Sequence, residues 1–362
     1  MPEPIKNRFN SETIRQLATD IQTIYHSFQI EEFLQSVITD NWDNLELKER
    51  IHQISKTLGA YLPSDFSSAI SIIDDMVKNY QGELYGFWIF PTFVEIYGQD
   101  EKHWKISINA LAKYTQYSTS EFAVRPFIIN HEKVMMAQMY KWAEDENEHV
   151  RRLASEGCRP QLPWGQSLPK YKKDPTPILP ILEQLKADPS LYVRKSVANN
   201  LNDISKTNPN IVVDLAQKWY GKNNNTNWVI KHGCRTLLKK GNRDVLAIFG
   251  YHDITAIKVD NFKLVATAIS LGEKIIFSFT IKANITTKIR LEYGIDYVKA
   301  NGKRNRKIFQ ISETSLKENE QKTYSKNHAF IDLSTRKHYA GVHSITLIIN
   351  GVEQETLDFR LL

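Results

Sequence analysis

Two hydrophobic periods divide the chain. Through residue 250 apolar positions recur at three and four residues, with turn signals between segments, which predicts helices. From about residue 255 they alternate. "IIFSFTIKANI" puts Phe277, Phe279 and Ile281 on one face. "IRLEYG" does the same with Ile289, Leu291 and Tyr293, and "TLDFRLL" with Leu357, Phe359 and Leu361. Asn301-Gly302 and Asn350-Gly351 predict hairpins, because both central residues of a type I′ turn need positive φ. The expected architecture is α+β and multidomain. Residues 1–250 form an all-α HEAT-like repeat solenoid, and residues 251–362 an all-β immunoglobulin-like sandwich.

The helical half repeats itself. "EFAVRPFI", "EHVRRLASEG", "LYVRKSVANN" and "NWVIKHGCRT" share a register anchored on Val124, Val150, Val193 and Val229. Spacings of 26, 43 and 36 suit helical-hairpin repeats of HEAT type, which stack into a curved array. Two residues past the last three valines stand Arg152, Lys195 and Lys231; six past stand Glu156, Asn199 and Arg235. These positions share a helix face away from the apolar row, and Arg159 extends it by a turn. Such a face fits a groove that tracks a phosphate backbone. On spacing alone the more ordinary reading is a solvated surface, with Arg152–Glu156 as a weak surface pair.

Two acids stand at the wrong helix ends. Glu156 precedes Gly157, a helix terminator in this reading, and Asp203 falls late in "SLYVRKSVANNLNDISK". A carboxylate near a helix C-terminus is disfavoured by roughly 0.3–1 kcal/mol. A neighbouring cation (Arg152, Arg159 or Lys195) would explain them, and so would positive charge developing on a substrate. Glu121 differs, since Ser118-x-x-Glu121 fits a capping box. Pro126 falls inside the helix that follows, where it bends the axis. Trp164 sits on a loop stiffened by Pro160 and Pro163. A rigid loop tryptophan suits stacking on a base or cation, or plugging the seam between two repeats.

Composition narrows the chemistry. The two cysteines, Cys158 and Cys234, make neither a disulfide framework nor a Cys-rich metal site, which points to a reducing cytoplasm. The histidines form no ligand-spaced cluster, and no phosphate-cradling loop or nucleophile elbow is present. No apolar run reaches the roughly 18 residues of a membrane span, and the start of the chain does not read as a signal peptide. Net charge is +6, of which +5 falls in residues 251–362. That hints at a polyanionic partner. Lys299, Lys303, Arg304, Arg306 and Lys307 surround the Asn301-Gly302 turn, as a duplex contact or a solvated hairpin tip.

"SEFAVRPFI", "VRRLASEGCRPQLPW" and "VRKSVANNLNDISK", with "FNSETIRQLATDI" and "GFWIFPTFVEIYG", resemble the AlkC branch of the HEAT-like-repeat DNA alkylation-repair glycosylases over about residues 8–250. Members of that branch can carry a C-terminal immunoglobulin-like domain. The tryptophan-rich pattern of the sister AlkD branch is not visible. The resemblance implies a monofunctional glycosylase that excises 3-methyladenine and 3-methylcytosine from double-stranded DNA, without metal or cofactor. Carried over by motif, its site falls on Glu121, Glu156, Trp164 and Asp203. Arg152, Arg159, Lys195, Lys231 and Arg235 would then hold phosphates, joined by Lys303, Arg304 and Arg306 from the second domain. A monomer with no membrane and no obligate protein partner is expected. The competing readings are a non-catalytic HEAT-repeat scaffold and a DNA-damage-binding protein.

Overall fold

The computed structural model describes residues 3–79, 88–252, 254–333 and 337–362. Gly86 and Phe87, which open "GFWIFPTFVEIYG", lie outside the described residues. Contacts divide the chain into two compact units: residues 1–208 with 221–233, and residues 209–220 with 234–362.

Among the described residues every regular element of the first unit is a helix, and the helices pack in a stack. Ser11–Ile24 packs on Ile30–Val37, Leu47–Tyr61 on Ile89–Tyr97, and Val124–Asn130 on Glu132–Trp142. Glu148–Gly157 packs on Leu191–Thr207, which packs in turn on Asn224–Gly233. The four anchor valines are all buried, so the shared register is the register of the core. Their helices therefore turn matching apolar faces inward. This is the expected HEAT-like arrangement.

The second unit holds the sandwich. Its strands are β1 (Ile257–Leu264), β2 (Ala268–Ile269), β3 (Lys274–Ala283), β4 (Thr287–Val298), β5 (Arg304–Leu316), β6 (Gln321–Ala329), β7 (Gly341–Ile349) and β8 (Val352–Leu361). One sheet runs β1-β3-β6 and the other β2-β8-β7-β4-β5. All pairings are antiparallel except β2 with β8. Phe277, Phe279, Ile281, Ile289, Leu291, Tyr293, Phe359 and Leu361 meet in the core between the sheets, with Leu357 packed against it. The alternation therefore placed the inward faces correctly.

The two hairpin expectations part ways. Asn350 and Gly351 have φ of 47° and 76°, so β7–β8 closes on the type I′ turn. At the other hairpin only Gly302 has positive φ, at 72°. Five residues, Lys299 to Lys303, connect β4 to β5, closed by Gly302 N to Lys299 O and Lys299 N to Lys303 O, each 2.9 Å. That longer loop replaces the expected two-residue turn.

Helices Pro209–Trp219, Arg235–Lys239 and Arg243–Ile248 belong to the same unit as the strands. Glycine makes this possible at one point. A Cβ on Gly241 would lie 2.6 Å from Gly351 O, and one on Gly351 would lie 2.5 Å from the Gly241 Cα. Asn350 Nδ2 donates to His252 O at 2.9 Å, and Lys288 Nζ to Phe249 O at 2.7 Å. Hydrophobic period changes near residue 250, but these contacts bind the last helices to the sandwich.

Candidate active site

The acids singled out by their position come together around two arginines. Helix Glu148–Gly157 starts on Asn147, whose side chain accepts from His149 N at 2.9 Å. Val150, Leu153, Ala154 and Gly157 bury one face. Glu156 is therefore carried into the last turn, itself buried. Arg159, just beyond the helix, donates from Nη1 to Glu156 Oε1 at 2.6 Å and from Nε to Asp203 Oδ2 at 2.8 Å. Lys206 Nζ reaches Asp203 Oδ1 at 2.9 Å. Arg152 pairs with Glu121 and lies 3.6 Å from Glu156. It also donates to Thr119 Oγ1 at 3.1 Å, and Thr119 donates to Glu121 Oε2 at 2.9 Å.

This geometry answers the question of the wrong-end carboxylates. Charge-assisted hydrogen bonds at these distances outweigh a helix-dipole cost of roughly 0.3–1 kcal/mol. Burial works against the Arg159 charge, but Glu156 and Asp203 raise its pKa above the ordinary value. Arg152 and Arg159 therefore do not form the outward phosphate-holding row that their spacing suggested. Arg159 is buried and Arg152 is turned to the acids, because the carboxylates are nearer than solvent. Lys195 and Lys231 are exposed on their helices. Arg235 is half-buried and opens helix Arg235–Lys239 in the second unit.

Three local expectations are corrected. Gly157 ends its helix as expected, but as the last helical residue and without the positive φ of a left-handed terminator. Its lack of a side chain serves packing, since a Cβ would lie 2.6 Å from both Met139 Cε and Val124 Cγ2. Ser118 and Glu121 form no capping box. The helix begins at Val124, and Glu121 lies in the turn before it, bonded to Thr119 and Arg152. Pro126 consequently sits in the first turn, where its missing N–H breaks no bond within the helix.

Trp164 is 67% exposed. Leu162 and Leu168, both buried, fill the interior of its loop, so the tryptophan does not plug a seam. Its φ is 62°, in the left-handed region. Arg125, from the quoted motif "EFAVRPFI", anchors this loop. Its side chain is fully buried and donates to Gln166 O, to Gly157 O at 2.9 Å and to Arg159 O at 3.0 Å. Burial depresses its pKa to about 10, so it stays charged near neutrality. Sequence reading missed Arg125, Lys206 and Thr119. Lys206 was findable, three residues after Asp203 on one helix. An arginine between Val124 and Phe127, both apolar, was a weaker signal for Arg125.

Cys158 is fully buried, and burial pushes its thiol up to about 12, which removes it as a thiolate nucleophile. Among the described residues no three His, Cys, Asp or Glu side chains group as a metal site. On the sandwich, Lys303 is exposed at its hairpin tip. Arg304 Nη1 donates to Ser344 Oγ at 2.7 Å. Arg306 is committed to Asp296 at 2.7 Å and to Glu353, so it is a cross-strand ion pair and not a free basic contact.

A stack of HEAT-like helices enclosing an acid–arginine cluster, joined to an immunoglobulin-like sandwich, defines a two-part class. Residues 102–237 match the DNA alkylation repair enzyme family, and that span contains Glu121, Glu156, Trp164 and Asp203. Residues 258–362 match the family described as "Uncharacterised protein YhaZ, C-terminal Ig-like domain". The chain is 48% identical over 357 residues to a protein described as uncharacterized, YhaZ of Bacillus subtilis (strain 168), covering 99% of each. It is 34% identical to the Pseudomonas fluorescens alkylpurine DNA glycosylase AlkC, solved bound to DNA containing an abasic site analog. That match has a TM-score of 0.95 and covers 99% of this chain and 100% of the other. The chain belongs to the AlkC-type family of DNA alkylation-repair proteins.

Proposed function

We propose that the protein is a monofunctional DNA glycosylase that hydrolyses the N-glycosidic bond of cationic N3-methylated bases, 3-methyladenine and 3-methylcytosine, in duplex DNA. The observation that carries this reading is the cluster of half-buried Glu121 and buried Glu156 and Asp203 on Arg152 and Arg159, in a span matched to the alkylation-repair family. Methylation at N3 makes the base a cation. When its glycosidic bond breaks, the electron pair goes to the base, which leaves neutral and needs little acid catalysis. The sugar becomes oxocarbenium-like, and water adds at C1′ with loss of a proton. Products are the free base and an abasic site carrying a C1′ hydroxyl.

Each residue type has a task in that scheme. The arginines favour the ionised acids, and an ionised carboxylate can stabilise a cationic sugar and position water. Glu156 and Asp203 are the primary acids in this proposal, and Glu121 orients or assists. Trp164, exposed on a braced loop, stacks on the cationic base or the sugar face. Lys195 and Lys231 from the helical unit, and Lys303 from the sandwich, contact phosphates.

Compensation of the acids by Arg152, Arg159 and Lys206 favours one second reading, a damage-binding protein in which the cluster only stabilises the fold. Base release from duplexes carrying 3-methyladenine or 3-methylcytosine separates the two. Wild type is expected to release free base, and Glu156→Gln and Asp203→Asn to bind duplex while releasing far less. Binding with no release by wild type from either lesion sinks the glycosylase reading.

A further inference from the structure

We infer that Lys48 is a positioning residue for Trp164, an assignment that rests on the proposed role of Trp164 as a stacking side chain. Trp164 presents a large indole to solvent from a left-handed backbone, a pose that persists only where the surroundings hold it. Arg125 anchors the loop on both sides of Trp164, through the carbonyls of Gly157, Arg159 and Gln166. None of those bonds touches the Trp164 peptide. Lys48 does, from 116 residues away: its Nζ donates to Trp164 O at 2.9 Å.

The ammonium is itself located. It lies 4.6 Å over the ring of Phe122, the residue after Glu121. Burial lowers the Lys48 pKa while the Glu95 carboxylate supports its charge. One amine thus links the Trp164 carbonyl to the turn that carries Glu121. Its place in its own helix supports the same conclusion. Lys48 is the second residue of Leu47–Tyr61, and a cation in a first helical turn opposes the dipole. That turn is already capped by Glu46 and Glu49, so the lysine adds nothing to the helix start. Its bond to Trp164 gives the cation a reason to be there.

The first readout needs no DNA. The full chain labelled with 5-fluorotryptophan gives a fluorine resonance for Trp164, identified by its loss in Trp164→Phe. Lys48→Met is expected to shift or broaden that resonance, and Lys48→Arg, which keeps a donor, to restore it. The second readout is affinity for a duplex with an abasic-site analogue. Lys48→Met is expected to weaken binding about tenfold in the wild-type background and not further in Trp164→Ala. The dependence of affinity on salt stays unchanged. An unmoved Trp164 resonance overturns the assignment. So does a loss that adds fully to Trp164→Ala with a salt slope reduced by about one, which marks a phosphate contact. Because the fluorine readout is independent of base release, a protein that releases no base but shifts this resonance loses the glycosylase reading and keeps the positioning one.

Discussion

Buried arginine–carboxylate networks occur in both units of this molecule, and they are built differently. In the sandwich, Arg290 on β4 bonds Glu292 on the same strand at 2.6 Å and Glu313 directly opposite on β5. Its backbone N–H is fixed by Asn350 Oδ1 at 2.8 Å. Register alone assembles that network, since adjacent strands bring opposite residues together. In the helical unit the acids come from a turn, a helix end and a second helix, and meet on Arg152 and Arg159. Both networks are largely buried. Burial and pairing therefore do not mark a site. What distinguishes the helical cluster is convergence of separate segments, with Arg125 tying the loop of the exposed Trp164 to the carbonyls of Gly157 and Arg159.

The largest expected effect tests that distinction directly. Glu156→Gln or Asp203→Asn should lower base release about 10²–10³-fold, the scale for removing a group that stabilises transition-state charge. Glu292→Gln should leave base release per folded molecule unchanged. Equal losses from both networks, measured by single-turnover assays on folded protein, would erase the comparison.

Stability should sort the other way. Arg290→Met strands the buried Glu292 carboxylate and the half-buried Glu313, and should cost about 3–5 kcal/mol in urea unfolding, with base release by the folded fraction retained. A smaller cost is expected at Gly157, where an added methyl meets Met139 and Val124. Gly157→Ala should destabilise by about 1–3 kcal/mol. It should also reduce base release, because the Gly157 carbonyl is an Arg125 anchor beside Glu156.

The smallest effects are responses to pH, of opposite sign in the two units. His343 in the sandwich accepts from Val298 N at Nδ1 and bonds Tyr339 O through Nε2. Burial holds its pKa below the ordinary 6.5, and His338 and Arg304 push the same way. Protonation therefore favours the unfolded chain. This contribution is fully present above about pH 6.5 and lost as pH falls through the folded value. Glu95 in the helical unit is raised by burial to about 7, against the pull of Lys48. Its contribution is present below the unfolded value of 4.5 and lost as pH rises through about 7. Glu95→Gln should thus stabilise the protein at pH 8 and not at pH 4. His343→Gln should flatten the acid limb. Denaturant titrations from pH 4 to pH 8 check both.

The sequence by itself determined the elements. A period of 3.6 or 2 is a local property, so the repeat register on Val124, Val150, Val193 and Val229 and the inward faces of β3, β4 and β8 were legible. Three site candidates could be singled out too, since Glu156 and Asp203 violate a local electrostatic rule and Trp164 stands between turn-forming residues, whereas Glu121 came only from the resemblance. Partners were not. Arg152 and Arg159 read as an outward row because spacing gives direction on a helix but not what faces it. Only packing brought Asp203 within reach of Arg159, 44 residues away, and turned Arg159 inward. Tertiary structure likewise decided that Gly157 serves close approach and that Lys48 meets Trp164. Those contacts join residues far apart in the chain, and local preference carries no information about which distant surface will arrive.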